Sequence, residues 1–355
     1  MSIRVFIVDD SAVVRMVLTE LLESVTGIEV IGSAQDPIFA QPKMEKDWPD
    51  VVILDVEMPR MDGITFLKKI MAERPTPVVM CSTLTVEGST TSLQALSIGA
   101  IDVVAKPKAD LKTSLPEASH DLVTAIRTAA KANMAGTKLK PIAPIAKVAA
   151  KLTADAMLSK RTSRSVKRTG ALIAIGASTG GTQALEAVLK ALPANSLPIL
   201  VVQHMPEKFT NTFADRLNDL CRVEVKEAED NDAVLRGRVL VAPGGKHMML
   251  QATQFGASVQ VKDGPLVSRH KPSVDVLFRS VAKHAGGNAL GIIMTGMGDD
   301  GARGIKEMHD AGAKTIAQNE ATCVVYGMPQ EAVKLGAIDH EIGLNKIPEI
   351  IVAHL

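Results

Sequence analysis

Ser178 stands in the run Leu-Ile-Ala-Ile-Gly-Ala-Ser-Thr-Gly-Gly at 172–181. The apolar start reads as a buried strand and Gly176 as a tight turn. An amphipathic helix follows, with Leu185, Val188, Leu189 and Leu192 on one face. A serine on such a strand-to-helix turn exposes its hydroxyl above the sheet edge, beside free helix N–H groups. Those donors stabilise an oxyanion if the serine is a nucleophile. They bind phosphate equally well if the turn is a glycine-rich anion loop, so the turn alone leaves both chemistries open. Two further predicted strands decide between them. Residues 198–203 end at His204, and residues 289–295 lead into Gly-Met-Gly-Asp-Asp-Gly at 296–301. A serine, a histidine and an aspartate thus each follow a predicted parallel strand, and such strand ends share one rim of the sheet. Neighbouring strands lie about 4.8 Å apart, so their side chains can meet. A nucleophile, a base and an orienting carboxylate are what serine hydrolysis requires. His247 and His270 also occupy loop-like positions; His204 is preferred because it directly follows an apolar strand. Spacing does not choose between Asp299 and Asp300.

The N-terminal half carries a different chemistry. Asp9 and Asp10 follow an apolar strand at 5–8, Asp55 one at 51–54, Thr83 one at 78–81, and Lys106 one at 102–105. Three carboxylates converging on one rim repel each other unless a cation joins them. An oxygen-only ligand set suits Mg²⁺, and a carboxylate beside Mg²⁺ can attack phosphorus to give an aspartyl phosphate. Thr83 would hydrogen-bond a phosphoryl oxygen and Lys106 would ion-pair with another. The plainer role for Asp9 and Asp10, capping the next helix, does not explain five matching residues on several strand ends.

Strands alternate with helical patterns through both halves. Residues 12–25, for example, set Val13, Val14, Val17, Leu18, Leu21, Leu22 and Val25 on one helix face. This predicts an α/β protein of two doubly wound parallel-sheet domains. The expected boundaries are 1–134 and 169–355, joined by a flexible basic, Ala/Pro-containing tether at 135–168. A chain of 355 residues accommodates two cores. A net charge of +1, a single Trp and a single Tyr argue against a nucleic-acid surface. Three scattered cysteines, none in a CxxC pair, argue against a disulfide framework or zinc site. A start directly on a strand, with no apolar run long enough to span a bilayer, gives the expectation of a cytoplasmic protein.

Val-Asp-Asp at 8–10, Leu-Asp-Val-Glu-Met-Pro-Arg-Met-Asp-Gly at 54–63, Ser-Thr at 82–83 and Lys106-Pro107 together resemble a two-component receiver domain. The resemblance implies a flavodoxin-like fold, Asp55 as phosphoacceptor, Asp9 and Asp10 as further Mg²⁺ ligands, and Thr83 and Lys106 as phosphoryl sensors. Many receivers have an aromatic switch residue where this chain has Val103. In the second half, the serine run joins Val-Gln-His-Met, Ala-Pro-Gly-Gly-Lys-His-Met, Lys-Pro-Ser-Val-Asp-Val-Leu-Phe and Met-Thr-Gly-Met-Gly-x-Asp-Gly. In that order, behind a receiver, they resemble the chemotaxis protein-glutamate methylesterases, the CheB family. The chain order Ser, His, Asp separates them from the α/β-hydrolases, which run Ser, Asp, His.

This resemblance implies Asp300 as the triad carboxylate and an oxyanion site built around Thr179 and Met297. It implies hydrolysis of glutamyl methyl esters on membrane-bound chemoreceptors without a metal, and deamidation of receptor glutamines by the same route. The implied phosphodonor is a chemotaxis histidine kinase, and the expected control is an unphosphorylated receiver that covers the Ser178 rim. Two rival readings are a non-enzymatic response regulator with a ligand-binding output domain and a small-molecule esterase. The former lacks a helix-turn-helix pattern and any dinucleotide or Walker loop at the serine turn.

Overall fold

The computed structural model describes residues 2–82, 86–106, 115–132, 134, 152–158, 169–253 and 256–354. The chain divides into two compact units, residues 1–139 and 140–355. Both are built on parallel sheets, as the alternation of strand and helix patterns requires.

In the first unit, β1 (Ile3–Val8), β2 (Ile28–Ala34), β3 (Val51–Asp55), β4 (Val78–Ser82) and β5 (Asp102–Ala105) alternate with α1 (Ala12–Glu23), α2 (Pro37–Lys46), α3 (Gly63–Glu73), α4 (Val86–Ile98) and α5 (Leu115–Ala129). The sheet order is β2-β1-β3-β4-β5, parallel throughout. Every residue of β3 and β4 is buried, which is why these strands read as unbroken apolar runs instead of alternating ones. Ser11, Asp36 and Asp62 cap α1, α2 and α3 through their side chains. The broad apolar face expected at 12–25 is only partly used. Val17, Leu18 and Leu22 are buried, whereas Val13 is 53% exposed and the helix ends at Glu23. A stripe that wide exceeds the contact one sheet face offers to a single helix.

The second unit runs β6 (Leu172–Ala177), α6 (Gly181–Lys190), β7 (Ile199–Gln203), α7 (Glu207–Leu220), β8 (Glu224–Glu227), β9 (Arg238–Val241), β10 (His247–Thr253), β11 (Gly256–Lys262), α8 (Val274–His284), β12 (Ala289–Ile293), α9 (Ala302–Asp310), β13 (Lys314–Gln318), α10 (Met328–Lys334), β14 (His340–Ile342) and α11 (Ile347–Ala353). Seven strands form one parallel sheet in the order β14-β13-β12-β6-β7-β9-β8, while β10 and β11 pair as an antiparallel hairpin. From β6 the chain moves to β7 on one side and later places β12 on the other. That reversal is the switch point where open α/β sheets leave a crevice at their carboxyl edge. β6, β7 and β12 are fully buried, and α8 packs its Val274, Leu277, Phe278 and Val281 into the same core.

Part of the stretch expected to be a tether is packed. Residues 154–156 form a 3₁₀ turn capped by Thr153, and Ala154 joins a small cluster with Met249, Val267 and Val276. Arg279 of α8 holds the segment through Asp155 (2.8 Å) and the Leu158 carbonyl (3.0 Å), while its other guanidinium edge grips Glu307. A low-periodicity segment docks here because a charge on α8 and a small apolar cluster receive it, which composition does not reveal. The rest of the expected tether, residues 135–151 and 159–168, lies outside the described residues.

Candidate active site

Ser178 follows β6 directly, on a turn that ends at Gly180 with φ +77°, the residue before α6. A side chain there would adopt the disfavoured left-handed region and run into Val324. The turn is stitched to both neighbouring strand ends. The Ser178 N–H donates to the Thr295 carbonyl (3.0 Å) and the His204 N–H to the Ala177 carbonyl (3.2 Å). The Gln203 amide donates to the carbonyls of Ser178 and His204. Thr295 Oγ1 donates to the Thr179 carbonyl at 3.0 Å, which ties the Thr179 turn to the loop that carries Met297. Ser178, Thr179 and Met297 are half-buried at this rim.

Asp300 is fully buried, and both its oxygens are used. Oδ1 accepts from Ser273 Oγ (2.8 Å) and the Asp275 N–H (3.0 Å). Oδ2 accepts from the Val274 N–H (2.8 Å) and pairs with His204 Nε2 (2.8 Å). The carboxylate thus sits on the N-terminal amides of α8, where the helix field favours a negative charge. Burial pushes the Asp300 carboxyl up. The His204 hydrogen bond, the charges of His204 and His270 and the Asp275 amide outweigh that push, so it lies below the usual carboxylate range. An ionised carboxylate can only accept, so His204 Nε2 carries the proton of this bond, and the neutral ring has its lone pair on Nδ1. Nδ1 is buried and has no hydrogen-bond partner among the described residues, so no bond links Ser178 to the ring here.

The rival histidines are accounted for by their surroundings. His247 is buried with both ring nitrogens engaged. Nε2 donates to the Pro265 carbonyl and Nδ1 accepts the Ser273 N–H, and burial pulls its pKa below the ordinary value. His270 stacks on His204 with ring centroids 3.6 Å apart and planes 5° from parallel. His204, His270 and Asp300 lie close enough to hold a metal ion. Parallel rings, however, send their lone pairs along parallel planes instead of to one point, and Asp300 already accepts four hydrogen bonds.

In the first unit, Asp9 and Asp55 are buried and Asp10 is exposed, and one oxygen of each falls within 4.8 Å of the others. Lys106 Nζ reaches Asp55 Oδ2 at 2.7 Å and Asp9 Oδ2 at 3.0 Å. Burial pushes the Asp55 carboxyl up to about 6, opposed by Lys106 and reinforced by Asp9. Burial also disfavours the Lys106 ammonium, but its bonds to Asp55 and Asp9 prevail and raise its pKa. Gly63 closes the loop behind Asp55, since a Cβ there would lie 1.9 Å from the Asp55 carbonyl oxygen. The clustered hard oxygens are consistent with a Mg²⁺ site. Thr83 lies outside the described residues.

Residues 173–351 match the CheB methylesterase family and residues 5–115 the response regulator receiver domain. The chain is 60% identical over 355 residues to protein-glutamate methylesterase/protein-glutamine glutaminase 2 of Chromobacterium violaceum, with 99% of each chain covered. The chain belongs to the CheB methylesterase family. It is also 59% identical to protein-glutamate methylesterase/protein-glutamine glutaminase 3 of Shewanella oneidensis over 351 residues, again 99% of each. The crystal structure of the Thermotoga maritima CheB methylesterase catalytic domain overlays with a TM-score of 0.52 at 36% identity, covering 53% of this chain and all of that one. No helix among the described residues is long and apolar enough to cross a membrane.

Around the CheB-type rim, four participants escaped the strand-end reading. Ser273 and the amides of Val274 and Asp275 cradle Asp300, and Gln203 pins the Ser178 and His204 carbonyls. Ser273 falls inside the Lys-Pro-Ser-Val-Asp-Val motif and Gln203 directly precedes His204, so both were visible as neighbours of chemistry without a stated job.

Proposed function

We propose that this protein-glutamate methylesterase/protein-glutamine glutaminase acts through Ser178, His204 and Asp300, under control of phosphorylation at Asp55. The pairing of His204 with a buried, fully hydrogen-bonded Asp300 beside the Ser178 turn is the observation that carries the reading. Asp300 holds the Nε2–H, leaving Nδ1 as the base that takes the Ser178 proton. Ser178 Oγ bonds to the side-chain carbonyl carbon of a glutamyl methyl ester on a chemoreceptor. The carbonyl oxygen becomes an oxyanion held near Thr179 and Met297. His204 returns the proton to the departing methoxide, methanol leaves, and water cleaves the acyl-serine by the same route to give glutamate. With a glutamine substrate the leaving group is ammonia. General-base action contributes about 10²–10⁴ in rate, and an oxyanion donor about 10²–10³.

In the receiver, an Asp55 oxygen attacks the phosphorus of a histidine-kinase phosphohistidine, and Lys106 and Thr83 then contact the phosphoryl oxygens. Bound by Asp9, Asp10 and Asp55, Mg²⁺ would neutralise the crowded carboxylate and phosphoryl oxygens. The ion pair of buried Asp55 with half-buried Lys106 supports this reading, because a new charge on Asp55 must rearrange it. The protein would act in the cytoplasm on membrane-bound receptors, with no part in nucleic-acid binding.

The test is methanol release from methylated chemoreceptor membranes, with and without Mg²⁺ plus a small phosphodonor. Release should rise with phosphodonor, lose that rise in Asp55→Asn, and vanish in Ser178→Ala. Release that survives Ser178→Ala refutes the assignment. Deleting residues 1–134 should raise basal release if the receiver restrains the esterase.

A further inference from the structure

Between β11 and α8 the chain makes a hairpin that is strained without an obvious local reason. Val267 and His270 exchange backbone hydrogen bonds of 3.1 and 2.9 Å around the two residues between them. Those two are Ser268 and Arg269, with φ of +51° and +71°, a conformation that normally calls for glycine or asparagine. Such backbone persists only where its surroundings over-determine it. Here they do: Ser268 Oγ donates to buried Asp275 (2.7 Å), and the Ser268 N–H donates to the Leu152 carbonyl (2.9 Å). The His270 ring completes the lock, with Nδ1 donating to the Ser268 carbonyl at 2.9 Å. Val267 anchors the near side in the Ala154, Met249 and Val276 cluster.

All of this scaffolding serves to present one flat ring. It delivers His270 face-on to His204, at the 3.6 Å centroid separation and 5° tilt of a close stack. His204 needs such a wall. Its Nε2–H bond to Asp300 fixes one direction in the ring plane, yet leaves the imidazole able to swing about that bond. Swinging would displace Nδ1, the base of the proposed triad. A ring against its face blocks the swing and excludes water from that side.

We propose that His270 is a positioning residue of the esterase reaction. Its ring, not its hydrogen-bonding capacity, holds the His204 imidazole in the plane that joins Asp300 to Ser178. The inference rests on the Ser178–His204–Asp300 reading above and adds to it a fourth residue that acts through His204.

The experiment compares two substitutions in the full-length, phosphodonor-activated enzyme. His270→Gln keeps a side-chain donor for the Ser268 carbonyl and removes the ring. His270→Phe keeps the ring and removes the donor. The expected result is kcat for methanol release lowered roughly tenfold in His270→Gln at unchanged KM, from the loss of a face-on aromatic contact. His270→Phe should stay within about threefold of the parent. Fluorophosphonate labelling of Ser178 should follow the same order. The reverse order, Gln active and Phe impaired, would show that His270 merely ties down the turn and would overturn the proposal. So would two neutral variants or two equally impaired ones. Ser178→Ala and His204→Ala measured in parallel separate the two levels. If they are inactive while both His270 variants are normal, only His270 loses its role. If they stay active, the underlying site assignment falls with it.

Discussion

Replacing Asp300 by asparagine changes one atom and should disable catalysis while leaving a folded protein. Asp300 accepts from four donors and donates to none. An asparagine must place its carbonyl on one pair and its amide on the other. With the carbonyl toward His204 and Val274, the amide can donate to Ser273 Oγ but meets the Asp275 N–H head-on. One buried donor is then unpaired, at a cost of about 1–3 kcal/mol. The opposite flip makes two such clashes, or drives the proton onto Nδ1 and abolishes the base. The catalytic loss is larger. A carboxylate 2.8 Å from the imidazolium nitrogen attracts it by roughly 6 kcal/mol at an effective dielectric near 20. Losing about 4–5 kcal/mol of that in the transition state slows kcat by about 10³–10⁴. Methanol release by the activated enzyme measures the effect, with KM expected to change little because the carboxylate does not face the substrate. Asp299→Asn is the matched control and should stay within about threefold, since its half-buried side chain is outside the cradle. An Asp300→Asn enzyme within tenfold of the parent, or an equal loss at Asp299, would refute the reasoning.

Three further outcomes follow from the packing around the same rim. Gly176→Ala should lower stability by about 1–3 kcal/mol, read as a drop in melting temperature, and reduce esterase activity as well. Its Cβ would fall 2.2 Å from Val274 Cγ1 and push the α8 terminus that cradles Asp300. Arg279→Ala should free the 152–158 segment, detected as faster proteolysis there. The stability loss should be about 1–3 kcal/mol, because water can reach the Asp155 and Glu307 carboxylates left behind. For His247, burial depresses the pKa below 6.5 in the folded state. The unfolded chain therefore takes up a proton that the folded ring refuses, and this contribution is lost as pH falls below 6.5. Between pH 7 and 5.5, melting of the parent should drop more steeply than that of His247→Gln, by at most about 1.4 kcal/mol per pH unit. Identical slopes would show that His247 is not held neutral.

The fold class was legible because buried parallel strands are short unbroken apolar runs, and β3, β4, β6, β7 and β12 all read that way. Helix faces were less legible. The periodicity of α1 marks which residues could be buried, but Val13 shows that the neighbouring surface decides how many are. The docked turn at 154–156 has no periodic signal, and its partners Arg279 and Val267 lie more than a hundred residues away in the chain.

For the site, local pattern was enough to put Ser178, His204, Asp300, Asp9, Asp10, Asp55 and Lys106 at strand ends. That needs only the strand period and the rule that such ends share a rim. Which groups touch across the rim is a different kind of fact. His204 meets Asp300 from 96 residues away, and Asp300 finds its amides on α8, 26 residues upstream. Both contacts depend on β6 lying between β7 and β12, an order set by how whole strands pair and not by any residue near the site. His270, one of three candidate bases by sequence, lies flat on His204 because a strained hairpin carries it there. Residue types and spacing supply the chemistry on offer; strand order and non-local packing select which atoms face one another, since those contacts form only when distant segments share a core.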